Sequence, residues 1–366
     1  MRPLPLSPAL DRTEPRRDQG ARGVAAALAL LLVLGGCGRD DPEPSKTRIP
    51  PGLQTRFFPP PGWTWSSIRA PGAPPLRYGV GVQPKAVRGQ VLILPGYGEP
   101  AEAWFETAGE LIGAGYAVWI LDLAGQGGSG RWLSPPDKGH LPSMQANLVA
   151  VKRMTTEVIR PGMGAPFVIL GSGLGAQVAL RSAAERLPGL DALVLSAPSL
   201  SDWPLSTPRP LQSEALAKGA VLVGLGGRYA PGEGAWRASL RDDAQRGSRA
   251  ATPYVWMRAN PELRLGGATW GWIKAYDESL KALRDPQTLA RVTTPVLMLD
   301  DGRGSSRRIC DRLPRCRYVR LPRGRAPHLA EDRTRELWRR QVEGFIDRQT
   351  SGYTLAAAPT RRATAP

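Results

Sequence analysis

The chain has 366 residues, of which 42% are hydrophobic, and a formal net charge of +17 at pH 7. The composition is typical of a globular protein, and the length allows one large core or two small ones. No block of Lys and Arg is interleaved with aromatic residues, and the two cysteines that follow Cys37 lack zinc-site spacing, which argues against nucleic-acid binding and against a bound metal.

The first segment predicts export. A basic stretch precedes an apolar run over residues 24–34, which is too short to span a bilayer. Small residues follow directly before Cys37, as in a bacterial lipoprotein signal. We expect residues 1–36 to be removed and Cys37 to be lipidated, which would anchor the protein on the periplasmic side of a bacterial membrane. An uncleaved signal anchor or a misassigned start codon is the alternative.

Removal of this signal would leave a strongly basic chain. It carries five arginines and three acidic residues, so the charge of +17 falls by 2 to about +15. Such a charge favours anionic surfaces such as phospholipid headgroups. The more ordinary interpretation is that the arginines are spread over a solvated surface and form no dedicated patch.

The ends of the mature chain have the composition of unfolded segments. Residues 37–70 are rich in proline and charge and predict an extended tether, and residues 351–366 predict a disordered tail. A single folded domain is therefore expected over residues 71–350.

Within this domain, short apolar runs alternate with helical patterns. Most of the runs are apolar on both faces, as strands inside a parallel sheet are. The predicted strands are QVLILPG, AVWILDL, FVILGSG, ALVLSAP, PVLMLDD and CRYVRLP. The predicted helices lie at about 103–114, 144–159, 174–186 and 333–348. The pattern predicts an α/β fold with a doubly wound, mostly parallel sheet.

One interval, about 199–290, lacks a convincing core strand and is predicted to be an inserted helical cap. Ligands of open α/β sheets bind at the carboxyl ends of the strands, so the cap would cover that crevice. Its tryptophans either line an apolar cleft for a lipid-like ligand or pack the cap onto the body; they are Trp236, Trp256, Trp270 and Trp272.

Several motifs resemble those of the α/β-hydrolase superfamily. In chain order they are LPGYGEPAEAW, LDLAGQGGSGR, KGH, GSGLG, GGRYAPGEGAW and NPELRLGGATWGW. They are most similar to the bacterial lysophospholipase and monoacylglycerol lipase branch, which is serine aminopeptidase-like, and the similarity extends from Leu76 to Asp347. The resemblance implies a cofactor-independent Ser-Asp-His triad that hydrolyses esters of monoacyl lipids.

The nucleophile motif of this family is G-x-S-x-G, with the serine at the apex of a strained turn. Gly171 and Gly175 match the flanking glycines, so Gly173 takes the apex and Ser172 precedes it. Side chains alternate along a strand, and Ser172 is therefore expected to point away from the reacting position.

The other two triad positions also depart from the family pattern. By resemblance, the acid position is Gly304 and the base position is Ala326. Loss of all three triad residues together is expected of a site that no longer catalyses, because each triad member acts through the others. A displaced constellation of Ser172, His328 and Asp301 is the alternative.

The oxyanion hole depends on backbone N–H groups alone, so it is able to persist without the triad. By position its donors are Tyr97 and Leu174.

Cys310 and Cys316 are six residues apart in the chain. In an exported protein they form either a small local disulfide or two free thiols.

These patterns give two hypotheses. In the first, an exported lipoprotein with a degenerate triad binds a lipid-like ligand or an unidentified protein partner without catalysis. In the second, it is an active serine ester hydrolase that uses the displaced residues.

Overall fold

The computed structural model describes most of the chain after residue 45. The described residues are 46–83, 87–160, 165–200, 214–237, 248–302, 305–322, 326–331 and 333–351. Cys37, Gly304 and residues 352–366 of the predicted tail lie outside them.

One sheet of eight strands forms the centre of the fold. Its strands are β1 (Thr64–Ile68), β2 (Leu76–Gly81), β3 (Gly89–Leu94), β4 (Tyr116–Leu121), β5 (Phe167–Ser172), β6 (Leu190–Ser196), β7 (Val296–Asp300) and β8 (Cys316–Arg320). They are ordered β1-β2-β4-β3-β5-β6-β7-β8. The six strands β3 to β8 pair in parallel with one another in the sheet. β2 pairs antiparallel with β4, and β1 pairs antiparallel with β2. The predicted mostly parallel α/β sheet is confirmed.

Helices connect the strands. Among the described residues they are α1 (Phe105–Gly113), α2 (Gln145–Arg153), α3 (Gly173–Ala184), α4 (Glu214–Leu222), α5 (Thr252–Ala259), α6 (Trp270–Arg284), α7 (Pro286–Ala290), α8 (Ser306–Cys310) and α9 (Arg333–Thr350). A π-helix, Met154–Ile159, continues α2, and 3-10 turns lie at Thr55–Phe57, Ala101–Trp104, Pro261–Leu263 and Pro327–Leu329. No helix among these described residues is both long and apolar enough to cross a membrane.

Both faces of the sheet are buried, which explains the continuous apolar runs. In β5, Phe167 and Ile169 pack into the core on one face, whereas Val168 and Leu170 pack into the core on the other. This alternation follows from the two-residue period of a strand. Helices cover both faces of the sheet. A ligand site in such a fold is expected at the carboxyl ends of the strands.

The predicted tether over residues 37–70 needs correction from residue 46 onward. Leu53 and Phe57 are buried in an aromatic cluster with Phe105, and Thr47 donates a hydrogen bond to Glu102 at 2.8 Å. β1 extends the sheet. The local composition is that of a linker, but the apolar side chains within it bury against distant parts of the domain.

The predicted cap corresponds to the segment between β6 and β7, whose described residues form α4 to α7 and no strand. Two of its tryptophans act as packing residues. Trp256 is fully buried against Phe105, with ring centroids 5.7 Å apart. Trp272 stacks on Tyr276 at 5.1 Å and contacts the Tyr97 ring at 4.8 Å. These two rings therefore fix the cap to the body.

Cys310 and Cys316 are joined as a disulfide with a Cα–Cα distance of 5.4 Å. It connects the end of α8 to the start of β8, the edge strand of the sheet. This small loop holds the segment that follows β7 close to the sheet.

Candidate active site

The turn between β5 and α3 has the shape of a nucleophile elbow. The strand ends at Ser172 and the helix begins at Gly173, whose φ of +48° lies in the left-handed region. A Cβ on Gly175 would lie 1.9 Å from the Leu94 carbonyl oxygen, and a Cβ on Gly171 would lie 2.5 Å from the Ala176 Cα. The two flanking glycines are therefore required by close backbone approach.

Gly173 differs from its flanking glycines because it has room for a side chain. A Cβ built there would be 3.6 Å from the Gly96 Cα and 3.6 Å from the Ser199 Oγ, which is ordinary van der Waals contact. Packing therefore does not require glycine at this position. Only the positive φ favours it, since that conformation strains other residues by about 1 to 3 kcal/mol.

Ser172 is 1% exposed, and its hydroxyl lies 3.4 Å from the Glu99 Oε1. The carboxylate, and not an imidazole, is thus the hydrogen-bond partner of this serine. A buried hydroxyl held in this way is poorly placed to attack a substrate.

Glu99 lies at the centre of the site. Its carboxylate accepts hydrogen bonds from the Gly96 N–H at 2.9 Å and from the Trp104 Nε1 at 3.2 Å. Burial raises the pKa of Glu99, and these hydrogen bonds, together with that of Ser172, oppose the rise. Sequence analysis missed this residue, although a carboxylate two residues after the predicted oxyanion donor Tyr97 was a usable signal.

His328 packs against the opposite side of the same carboxylate. Its Nε2 is 3.5 Å from the Glu99 Oε2, and its ring stacks on Trp104 with centroids 3.8 Å apart. Neither ring nitrogen has a hydrogen-bond partner among the residues that the structure describes. Burial, with a smaller contribution from the positive charge of Arg335, lowers the pKa of His328 to about 3. The imidazole is therefore neutral at physiological pH.

Within the described residues no carboxylate accepts a hydrogen bond from the His328 ring, as the acid of a triad would; Glu99 is near but not hydrogen-bonded to it. Asp300 accepts hydrogen bonds from the Tyr318 hydroxyl and, at 2.8 Å, from the Gly302 N–H. Because both ring nitrogens of His328 lack a hydrogen bond, Asp301 does not orient the imidazole. Of the displaced constellation, Ser172 and His328 both contact Glu99, and Asp301 makes no hydrogen bond to the ring nitrogens of His328. The base position, Ala326, directly precedes the 3-10 turn that carries His328.

The two predicted oxyanion donors are held by separate elements. Leu174 lies in the first turn of α3, where backbone N–H groups have no partner within the helix. The loop that carries Tyr97 is fixed by Gln126, whose Nε2 donates to the Gly96 carbonyl at 2.8 Å, and by the Tyr97 hydroxyl, which donates to the Gly266 carbonyl at 2.9 Å. The arrangement provides fixed backbone donors next to an apex without a side chain.

Ser199 is a second residue that sequence analysis missed. Its N–H donates to the Gly173 carbonyl at 3.0 Å, which holds the segment after β6 against the apex. Its carbonyl accepts from the Tyr276 hydroxyl at 3.2 Å. This contact ties the cap to the elbow, and no local pattern in SAPSLS indicates it.

His328 predicts an acid sensitivity. The unfolded chain takes up a proton at this residue near pH 6.5, whereas a folded pKa of about 3 keeps the buried ring neutral. Stability is fully present above pH 6.5 and falls as the pH drops toward 3, by roughly 3 kcal/mol at pH 4.5. The variant His328→Phe keeps a ring beside Trp104, and urea unfolding at pH 4.5 and 7.5 should show a smaller loss for it than for the wild type.

Glu99→Gln should change the pH dependence of the free energy of unfolding in the opposite direction. Because the folded pKa of Glu99 is raised, its ionisation destabilises the fold at neutral pH and protonation relieves this as the pH falls. Glu99→Gln should therefore steepen the acid loss. Identical pH profiles for wild type and His328→Phe would contradict the assignment.

A family model described as Serine aminopeptidase, S33 matches residues 85–320, which include the elbow, the cap and the strands from β3 to β8. Lysophospholipase L2 of Escherichia coli strain K12 is 31% identical over 222 residues, which cover 57% of this chain and 62% of that protein. Probable lysophospholipase L2 of Haemophilus influenzae is 27% identical over 223 residues, which cover 60% of this chain and 69% of that protein.

The solved structures agree on the fold. The monoacylglycerol lipase of Paleococcus ferrophilus matches with a TM-score of 0.56 at 21% identity, over 75% of this chain and 99% of that one. The predicted α/β-hydrolase fold and the resemblance to the lysophospholipase branch are confirmed. The chain belongs to the serine aminopeptidase S33 family of α/β-hydrolases.

Proposed function

We propose that this protein is an exported lipoprotein that binds a monoacyl lipid in its capped site without hydrolysing it. One observation carries the proposal: the turn from β5 to α3 has the shape that presents a nucleophile, and the residue at its apex is Gly173, which has no side chain. Nucleophilic ester hydrolysis requires a reactive group at that point.

The surroundings of the apex support a non-catalytic site. A serine nucleophile needs an imidazole to take its proton and an acid to orient that imidazole. Here Ser172 pairs with Glu99, and both nitrogens of His328 lack a hydrogen bond. Each of the two residues contacts a different oxygen of the Glu99 carboxylate, and no hydrogen bond joins the two described side chains, so Ser172 has no imidazole in place to take its proton.

A lipid ligand is supported by the relatives and by the cap. Two curated relatives carry the name lysophospholipase L2. The described part of the cap exposes four large apolar side chains along α4 and directly after it, namely Leu216, Leu222, Val223 and Leu225. Contiguous exposed apolar residues are characteristic of surfaces that contact lipid or a partner. The backbone donors at Tyr97 and Leu174 suit the ester carbonyl of such a ligand.

The membrane address is inferred from the sequence. The lipid-bearing residue would be Cys37, and the folded part of the structure begins by Thr47. The tether between anchor and domain would then be about ten residues long, since residues from 46 onward pack on the domain. A chain of that length reaches at most roughly 35 Å when extended, so the domain would stay near the bilayer.

Three measurements test the proposal. A fluorophosphonate probe should leave the protein unlabelled, and lysophosphatidylethanolamine should stay intact, while calorimetric titration below its micellar concentration shows binding. Ser199→Trp places a large ring beside the apex and should weaken that binding at least tenfold. Ser143→Trp, at an exposed position, is the matched control.

Labelling of Ser172, with loss of esterase activity in Ser172→Ala, would instead establish the active hydrolase that uses Ser172, His328 and Asp301. Absence of both binding and hydrolysis would remove the lipid ligand from the proposal.

A further inference from the structure

The positive charge of the chain is concentrated in one short segment. Residues 303–325 contain nine arginines and one acidic residue, Asp311, which gives 9 − 1 = +8 of the total +17. Nearly half of the net charge therefore lies in 23 residues. This distribution favours a dedicated patch over an even spread across the surface.

The described arginines of this segment point to solvent. They lie on α8, on β8 and in the turn between them, and all are exposed: Arg307, Arg308, Arg312, Arg315, Arg317 and Arg320. Arg307 forms an ion pair with Asp311 at 3.0 Å, and Arg317 donates to Gln341 at 2.9 Å. Arg308, Arg312 and Arg315 form no ion pair with any residue that the structure describes.

The disulfide holds these three unpaired arginines together. Each lies within two residues of Cys310 or Cys316, whose Cα atoms are 5.4 Å apart. Their Cα atoms are therefore within roughly 17 Å of one another. Like charges gathered on one surface add up to a positive local potential, which attracts anions from solution.

Protection of a sheet edge explains only part of the pattern. β8 is an edge strand, and charged residues on such strands prevent pairing with other chains. That role accounts for Arg317 and Arg320, which lie on the strand. It does not account for Arg308, Arg312 and Arg315, which lie before it.

We propose that this basic surface binds the headgroups of an anionic phospholipid bilayer. It is formed by Arg308, Arg312 and Arg315, with Arg307, Arg317 and Arg320 beside them. A nucleic-acid surface would combine the charges with aromatic side chains on which bases stack. The one aromatic residue on β8, Tyr318, is half-buried and donates its hydroxyl to Asp300. A set of unpaired charges without a stacking platform suits a surface of many anionic headgroups.

The test uses the full chain and measures sedimentation with vesicles. The readout is the ratio of partitioning onto vesicles with 30 mol% phosphatidylglycerol to partitioning onto pure phosphatidylcholine. The apolar run of the N-terminal segment contributes equally to both vesicles, and the charge of that segment is the same in every variant compared. The triple variant Arg308→Gln, Arg312→Gln, Arg315→Gln should lower this ratio on the order of 100-fold at 0.1 M salt. The wild-type ratio should fall as salt is raised.

A matched control removes the same charge from other elements. Lys152→Gln, Arg228→Gln, Arg284→Gln changes three exposed cationic residues outside the segment and should alter the ratio less than threefold. Equal losses in the two triple variants would overturn the proposal in favour of general net charge. Unchanged vesicle binding together with lost RNA binding in the first variant would overturn it in favour of nucleic acid.

A conservative triple variant separates a headgroup surface from a shaped anion site. Lysine carries the same charge but cannot make the bidentate contacts of arginine. Arg308→Lys, Arg312→Lys, Arg315→Lys should keep the vesicle ratio within threefold of wild type. A loss as large as that of the glutamine variant would overturn the headgroup surface and indicate a stereospecific anion site.

Discussion

The variant Gly173→Ser, Gly304→Asp, Ala326→His should hydrolyse p-nitrophenyl butyrate on the order of 100-fold faster than the wild type. It restores a nucleophile, an acid and a base at the positions that the family resemblance assigns. A complete triad contributes about a millionfold in an evolved hydrolase, and an unrefined one should recover a small part of that. Release of p-nitrophenolate and labelling of Ser at position 173 by a fluorophosphonate are the measurements.

The structure gives a specific reason to expect a gain. The elbow keeps its flanking glycines and its positive φ, and a Cβ on Gly173 fits without a clash. The N–H of Leu174 lies in the first turn of α3, where it is free of the helix and able to donate a hydrogen bond to a developing oxyanion. The new side chain strains the turn by about 1 to 3 kcal/mol.

The matched control carries Gly173→Ala in place of Gly173→Ser. Alanine adopts the same strained backbone without supplying a hydroxyl, so stability should fall equally while activity stays at background. If Gly173→Ser alone equals the triple variant, His328 and not residue 326 supplies the base. If neither Gly173→Ser nor the triple variant gains activity over the wild type, the placement of the apex at Gly173 is contradicted.

The sheet could be predicted where the chain itself carries the pattern. β3 to β8 were visible because both faces of most of these strands are buried, which requires continuous apolar runs. β1 and β2 were missed because their sequences, TWSSI and LRYGVG, mix polar residues and glycines. Gly79 leaves room for Trp63, since a Cβ there would lie 2.3 Å from the indole. A contact of that kind cannot be recognised from the strand alone.

The candidate site also has one part that could be predicted from the sequence and another that could not. The elbow was predictable because its glycine spacing is local. Glu99 and Ser199 were missed because their roles arise from contacts with residues 73 and 26 positions away, Ser172 and Gly173 respectively. Burial of His328 against Trp104 and Glu99 likewise depends on two segments more than 200 residues apart, the segment 99–104 and the turn Pro327–Leu329. Sequence reasoning therefore located the elbow and could not identify the residues that surround its apex.

The largest loss of stability should come from Arg77→Met. Arg77 lies on β2, and its role could not be predicted from the sequence because its partners are distant in the chain. The guanidinium is 1% exposed and pairs with Glu102 at 2.9 Å and with Asp122 at 2.6 Å. Methionine fills similar volume but leaves two buried carboxylates without their cation. The free energy of unfolding in urea should fall by about 3 to 5 kcal/mol.

The surface pair between Arg88 and Asp347 supplies the control. Its atoms are 3.0 Å apart, close to the buried distances, but both side chains are about half exposed. Arg88→Met should therefore change the free energy of unfolding by less than about 1 kcal/mol. Adding Glu102→Gln to Arg77→Met should recover part of the loss, because one buried charge is removed.

The buried cluster also supports the site. Glu102 lies in the 3-10 turn that follows the loop of Tyr97, and Asp122 accepts from the N–H groups of Ala101 and Gly128 at 2.9 and 3.0 Å. Arg77 thus fixes the loop that carries Tyr97, one of the two predicted oxyanion donors. If the cluster acts in this way, Arg77→Met should weaken lysolipid binding even at temperatures where the protein remains folded. Normal binding with a loss of stability below 1 kcal/mol would show that the charges are compensated by other means.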